Sequence, residues 1–362
     1  MTKLDEARKI INSVDEKMAE LFTERMRAVE AVFEYKREHG LQILDKAREA
    51  EVIKKNSERI EDTTLREYYI NFLKDNMAIS RQYQERLMSG IKVAYSGTEG
   101  AFAHIATNKL FPTSRKVAYE NFASAYNAVV SGECDSALIP IENSSNGEVT
   151  QVSDLMFSGP LYINAVTEIA VTQDLLGVKG AKISDIKEVI SHPQALGQCA
   201  EYIKSRSLKS HEYTNTALAA KYVSELADKS IAAIASAEAA EIFGLEVLER
   251  NINSARNNTT RFAVFSRAQN KRDERDKGVH TILMFTVRNE AGALAKAIDV
   301  IGRHGFNMLS LRSRPMKELL WQYYFYVEAE GNVFTDSGAH LMSELHYYCD
   351  KLKVVGTYTK EV

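Results

Sequence analysis

Apolar and charged residues recur along the first ninety positions in steps of three and four, and that period predicts helices. Leu4, Ala7, Ile11, Val14, Met18, Leu21, Ala28 and Val32 fall on one stripe of a single long helix. Residues 1–89 hold no proline and one glycine, Gly40, which ends this helix. A second helix carries Asp45, Arg48, Glu49, Val52 and Ile53, and a third runs from Thr63 to Met88. Arg25 interrupts the apolar stripe and Lys36 lies four residues beyond Val32, so two cations share an apolar face, about 16 Å apart at ~1.5 Å rise per residue. Cations on a buried face are costly unless an anion meets them; the plain alternative is that they snorkel or pair with glutamates of neighbouring helices. Two shorter helices cannot cover so long a stripe, which predicts a dimer that completes the core.

At Ile91 the pattern changes. Ile91-Lys92-Val93-Ala94-Tyr95 reads as a strand and Ser96-Gly97-Thr98-Glu99-Gly100 as a turn into a helix. Strand-like runs at Ser136–Ile141, Leu161–Val171, Glu188–Ile190 and Ser230–Ala235 alternate with helical stretches such as Ala217–Leu226, an α/β architecture. The run Lys271 to Lys277 mixes charge signs without an apolar anchor and reads as a solvated linker. Beyond it come strand Val279–Val287, helix Gly292–His304, strand Asn307–Ser313, strand Trp321–Ala329, helix Ser337–Cys349 and strand Leu352–Tyr358, a ferredoxin-like βαββαβ order. The expectation is therefore a multidomain chain: an all-α domain over 1–90, an α/β domain over 91–268 and an α+β domain over 279–362.

Composition narrows the function. With 362 residues, 45% hydrophobic and 26% charged, the chain is an ordinary globular protein too long for one core. A net charge of -3 gives no basic field, which argues against nucleic-acid or anionic-membrane partners and for small-molecule chemistry. Cys134, Cys199 and Cys349 are few and scattered, as reduced thiols are, and no metal or cofactor set is apparent. The charged start and the lack of any long apolar run predict a cytoplasmic protein.

The ordered set Arg8, Arg25, Lys36, Asp45, Arg48, Glu49, Ser80 and Gln84 resembles the active site of the helical chorismate mutases. Their Claisen rearrangement moves no proton and needs only preorganised charge. The resemblance implies that Arg25 and a second chain's Arg8 clamp the substrate carboxylates. Lys36 and Gln84 would meet the ether oxygen, Glu49 and Asp45 the substrate hydroxyl, and Arg48 and Ser80 would complete the pocket.

Four polar clusters in the middle segment, Gly97 to His104, Pro140 to Gly147, Ser191 to Cys199 and Asn258 to Phe262, lie beside predicted strand ends, where open α/β sheets collect ligand contacts. Singly each has a bland reading as a turn, a cap or a surface hydroxyl. Together, and above all through Thr260-Arg261-Phe262, they resemble prephenate dehydratase, which implies two lobes around a cleft as in periplasmic binding proteins. By that resemblance Thr260, with Asn143, Ser191 and Gln198, surrounds the departing hydroxyl, Arg261 holds a carboxylate, and Ser144 is a further substrate-binding residue. His192 is the second candidate acid; Thr172, Thr216 and Ser236 are further cleft positions.

The last segment resembles an ACT domain, a unit that binds amino acids at subunit interfaces. Gly292-Ala293-Leu294 matches the family's phenylalanine-site motif, and Ser313 and Arg314 belong to its second motif, where Arg312 replaces the family glutamate. The resemblances imply a bifunctional enzyme taking chorismate through prephenate to phenylpyruvate, with L-phenylalanine as effector, no cofactor, and a homodimer or higher oligomer. The rivals are the same fold acting on arogenate, a fused prephenate dehydrogenase, whose dinucleotide glycine fingerprint is missing from the sequence, a pure binding module, and a catalytically silent sensor.

Overall fold

The computed structural model describes residues 2–254, 257–273, 275–316 and 322–359, and the chain divides into two compact units, 1–91 and 92–362.

The first unit is three helices, α1 (Lys3–Glu38), α2 (Lys46–Ser57) and α3 (Thr63–Ser89). Each start is fixed by a side-chain cap: Thr2 and Asp5 form a capping box on α1, while Asp45 and Asp62 accept from the amides of Arg48 and Leu65, both at 3.0 Å. Asp45 is thus the cap of α2 and not part of its body. Phe33, Leu73 and Met77 are buried, but along the first half of α1 Leu4, Ile11, Val14, Met18 and Leu21 all lie exposed in the single chain. The stripe that the sequence marks as apolar is the surface this unit leaves uncovered.

The second unit begins with β1 (Lys92–Ser96), α4 (Phe102–Leu110), β2 (Arg115–Tyr119), α5 (Phe122–Val130), β3 (Ser136–Asn143), β4 (Gly147–Glu148), α6 (Thr150–Ser158) and β5 (Tyr162–Ala170). The chain then builds a second lobe from β6 (Asp174–Gly177), β7 (Glu188–Ser191), α7 (Pro193–Gln198), α8 (Ala200–Ser205), β8 (Lys209–Glu212), α9 (Thr216–Leu226), β9 (Ile231–Ala235), α10 (Ala237–Phe243) and β10 (Glu246–Glu249). It returns to the first lobe in β11 (Thr259–Ser266), between β3 and β5. The two crossing segments are tied to each other: the Val171 amide donates to the Asn258 carbonyl and the Ile252 amide to the Gln173 carbonyl, both at 2.8 Å.

The C-terminal segment supplies β12 (Val279–Thr286), α11 (Ala293–Arg303), β13 (Asn307–Pro315), β14 (Tyr323–Glu330), α12 (Asp336–Tyr348) and β15 (Lys351–Thr359), the βαββαβ order that its sequence predicts. Its sheet has two buried faces. Leu283, Phe285 and Val327 pack under α11 and α12, whereas Ile282, Met284, Tyr326 and Tyr358 enter the core of the first lobe with Tyr126, Met156, Ile163 and Phe265. Strands buried on both sides have no polar face, as β12 shows by being buried at every position.

One sheet runs from β13 through β15 to β5 and on to β2, and its joint is the pair Gly356–Ile163. A Cβ on Gly356 would overlap the Ile163 carbonyl. Gly356→Ala is therefore expected to lower stability by roughly 1–3 kcal/mol, as overpacking does. Replacing a strand glycine ordinarily stabilises, so a raised melting temperature in calorimetry would count against a tight joint.

The stretch expected to be a solvated linker is partly pinned. Arg272 donates to the Asn164 carbonyl at 2.9 Å, and Asn332 donates to the carbonyls of Arg272 and Asp273.

Candidate functional site

In the helical unit Arg25 and Lys36 are half-buried and have no ion pair among the described residues. Arg25 donates to the Ser80 hydroxyl, and burial lowers its pKa. Lys36 donates to the Ile43 carbonyl at 2.6 Å. Gln84 is buried one turn after Ser80; its Nε2 donates to the Ser80 carbonyl while its Oε1 has no partner. A half-buried cation without a carboxylate favours an anion, and the free Gln84 Oε1 can accept from a hydroxyl.

Glu49 pairs with Arg81, which the sequence did not single out; position 81 follows Ser80 directly and lies about 100° around the helix from it. Arg48 is exposed and paired with Glu51. Arg8 is exposed and precedes Arg25 by about 25 Å along α1 at ~1.5 Å per residue. Within one chain it cannot join the others.

In the second unit a cavity of about 630 Å³ opens between the two lobes. Asn143, His192, Gln198 and Thr260 line it, and so do Gln173 and Asn258. The amide of Asn143 is oriented by its neighbours: its Oδ1 accepts from the backbone of Ser145 and Asn146, at 3.0 and 3.1 Å. Its Nδ2 must then point the other way, donating to Asn258 Oδ1 at 2.8 Å and to Thr260 Oγ1 at 2.9 Å. Thr260 thus accepts from Asn143 and keeps its own proton for a third group. His192 caps α7, its Nδ1 accepting from the Gln194 amide at 3.2 Å, which leaves Nε2 as the donor of the neutral ring.

Four expectations need correction. Arg261 does not face the cavity: on β11 it alternates with Thr260 and Phe262, both of which line it. Its side chain turns to the C-terminal segment and grips Glu328 through two bonds of 2.9 and 2.7 Å, with Tyr358 at 2.7 Å. Ser191 is fully buried and donates to the Ile234 carbonyl at 2.5 Å. Ser144 ties the β3–β4 hairpin to β11, accepting from the Thr259 amide at 2.9 Å. Thr172 lies between two lining residues, Val171 and Gln173, and is not itself among them. Strand alternation explains Arg261, whereas Thr172 lies between β5 and β6, outside either strand. Gln173 escaped notice, although one residue's shift from Thr172 would have found it. Asn258 stands inside the quoted motif without having been given a role.

The C-terminal motifs separate in the same way. Gly292, at φ 83°, caps α11 without a side-chain bond, Ala293 is buried in its first turn and Leu294 is half-buried. Ser313 pairs across the sheet with Phe325, on the helix-covered face. Arg314 faces the opposite side and bonds Glu148 at 2.8 Å, with Asp154 at 3.5 Å. The expectation that Arg314 sits with the glycine motif is therefore overturned by its strand position. Arg312, on the same face, pairs with Glu142. Glu142 and Glu148 are the two ends of the hairpin that carries Asn143.

The profile of the prephenate dehydratase family matches residues 93–270, and that of type II chorismate mutase matches residues 7–85. A bifunctional chorismate mutase/prephenate dehydratase of Aquifex aeolicus is 30% identical over 99% of this chain and 99% of its own length. Among solved structures, a prephenate dehydratase from Arthrobacter aurescens in complex with L-Phe is 27% identical with a TM-score of 0.69, covering 75% of this chain and 90% of its own. GqqA, described as a novel type of quorum quenching acylase, is 31% identical with the same TM-score of 0.69, covering 75% of this chain and 98% of its own. With both profiles in order along one chain and a relative aligned almost end to end, this protein belongs to the family of bifunctional chorismate mutase/prephenate dehydratases.

Proposed function

We propose that the helical unit rearranges chorismate to prephenate and that the cavity of the second unit converts prephenate to phenylpyruvate. The observation that carries the second half is the Asn143–Thr260 hydrogen bond at the cavity wall. Losing water and carbon dioxide makes the ring aromatic, so the enzyme's task is to help hydroxide leave. Thr260, its oxygen already occupied by Asn143, donates to that oxygen, and Nε2 of His192 is the second donor; the proton that completes water reaches it through such hydrogen bonds. The likeness in fold to an acylase does not alter this, because one fold hosts unrelated chemistries.

In the first half Arg25 and Arg8 of a second copy hold the two carboxylates, Lys36 and Gln84 follow the charge that grows on the ether oxygen, and Glu49 holds the hydroxyl. The distance of Arg8 from Arg25 and the bare stripe of α1 both support a site completed by a homodimer. The three-domain division at 1–90, 91–268 and 279–362 follows the chemistry, with the C-terminal segment an ACT domain that senses L-phenylalanine at Gly292, Ala293, Leu294 and Ser313. The L-Phe complex of the Arthrobacter dehydratase supports that reading. No helix among the described residues is long and apolar enough to cross a membrane, which is consistent with a cytoplasmic enzyme.

The test is a coupled assay on purified protein given chorismate alone. Wild type is expected to yield phenylpyruvate. Thr260→Ala should lower dehydratase kcat by about 10²–10⁴-fold and accumulate prephenate. Phenylpyruvate formed by Thr260→Ala at the wild-type rate would remove Thr260 from the reaction.

A further inference from the structure

Prephenate is a dicarboxylate, yet among the described residues no Lys or Arg lines the cavity, and Arg261 points away from it. Among the described residues the one acid in the lining, Glu148, is held by Arg314 at 2.8 Å. What the cavity offers instead is backbone. Two helices of nine residues start on its wall: Ala101, Phe102 and Ala103 open α4, and Val149, Thr150 and Gln151 open α6. Neither has a side-chain cap; in α6 the Val152 amide turns back to the Val149 carbonyl at 2.9 Å, which leaves the amides of Phe102 and Ala103 in α4 and of Thr150 and Gln151 in α6 without a capping side chain. The helix α9, which also starts there, is by contrast capped by Asn215, which accepts from the Leu218 amide at 2.7 Å.

A second observation is independent of the helices. Asn258 is 4% exposed and lines the cavity. Its Oδ1 is taken by Asn143, which fixes its Nδ2 as the donor left over, and that atom is buried without a partner. A buried unpaired donor costs free energy in the empty protein and is repaid when an acceptor arrives. At its other end α6 has a cation in place: Lys353 Nζ donates to the carbonyls of Met156, at 2.6 Å, and of Gly159. The helix is closed by charge at its C-terminus and open at its N-terminus.

The geometry points to the uncapped N-termini of α4 and α6, together with the Asn258 amide, as the holder of a substrate carboxylate, in the place where an arginine was expected. This rests on the dehydratase reading of the cavity. The carboxylate held is the one that survives the reaction. Donors that stabilise a carboxylate oppose its departure as carbon dioxide, so they cannot serve the one that is lost. That one is left to the apolar part of the lining, which includes Phe122, Pro140, Val171 and Phe262.

The test uses the full chain, with chorismate mutase activity as an internal control of integrity and prephenate as the probe. Thr150→Pro deletes one amide at the first helical position, where proline is well accepted. Asn258→Asp keeps the oxygen that Asn143 needs and replaces only the free donor by a repelling oxygen. Each is expected to raise KM for prephenate by about tenfold or more, the worth of a hydrogen bond to a charged group, with kcat within about threefold. If Thr150→Pro loses its melting transition, Asn258→Asp decides by the same criterion. An unchanged KM in active variants overturns the inference while leaving the dehydratase reading intact. Wild-type protein that does not turn over prephenate overturns both.

Discussion

Arg261→Ala is expected to cost the second unit about 3–5 kcal/mol, because it removes one half of a buried ion pair and strands the other. Glu328 is 2% exposed, and its carboxylate is held by both guanidinium nitrogens of Arg261 and by the hydroxyls of Tyr358 and Tyr326. Burial pushes its pKa up, but Arg261 and the tyrosines outweigh burial and bring it down to about 2. A carboxyl depressed in the folded state contributes stability that is complete above its unfolded pKa, near ~4.3, and is lost as pH falls toward 2. Without Arg261 the carboxylate keeps the two tyrosine hydroxyls and His280, whose Nδ1 lies 3.9 Å away, and burial outweighs them, so the folded pKa rises above the unfolded one and the sign reverses. The variant should then gain stability as pH drops from about 8 to about 5, a window in which wild type should not. Urea denaturation of both proteins across that range measures this. Equal losses at both pH values would show that Glu328 does not depend on Arg261. Arg261→Met with Glu328→Leu should recover much of the loss, since replacing both members leaves no orphan charge.

The location of this pair gives the measurement a second use. Arg261 joins the strand bearing Thr260 to β14, and Arg312 and Arg314 hold both ends of the hairpin bearing Asn143. The Asn143–Thr260 hydrogen bond therefore rests on C-terminal arginines and carboxylates one layer behind it. The charge reversal at Arg312, which the sequence placed beside an effector site, has a physical use here in gripping Glu142.

Arg25→Ala should abolish most mutase activity, by about 10²–10³-fold in kcat, because it removes a preorganised charge from a unimolecular reaction that has no other form of catalysis. Arg25→Lys should recover little, since an ammonium cannot reproduce the planar fork that binds a carboxylate while bonding Ser80. Dehydratase turnover of added prephenate is the internal control and should be unchanged. The proposed sharing of the site between two chains adds a sharper expectation. Arg8→Ala and Arg25→Ala chains, each nearly inactive, should regain activity when unfolded and refolded together, because a mixed dimer contains one site with neither substitution. No recovery would mean that Arg8 and Arg25 act in the same chain or that Arg8 plays no part.

The extent of the helices, the change of period at Ile91, the final βαββαβ order and the neighbours Ser80 and Gln84 were legible in the sequence. Each depends on a local period or on a cap within a few residues, and such signals are carried by the chain itself. Arg25 and Lys36 were legible for the same reason, as breaks in a stripe. The tertiary structure decided what local patterns leave open. Whether Arg261 or Thr260 faces the cavity is a matter of which side of β11 the substrate occupies, and adjacent residues of a strand always face opposite sides. The same choice separated Ser313 from Arg314. The uncapped starts of α4 and α6 and the free donor of Asn258 mean little until the fold gathers them around one space, because an unmet hydrogen bond is a property of surroundings that no stretch of sequence contains.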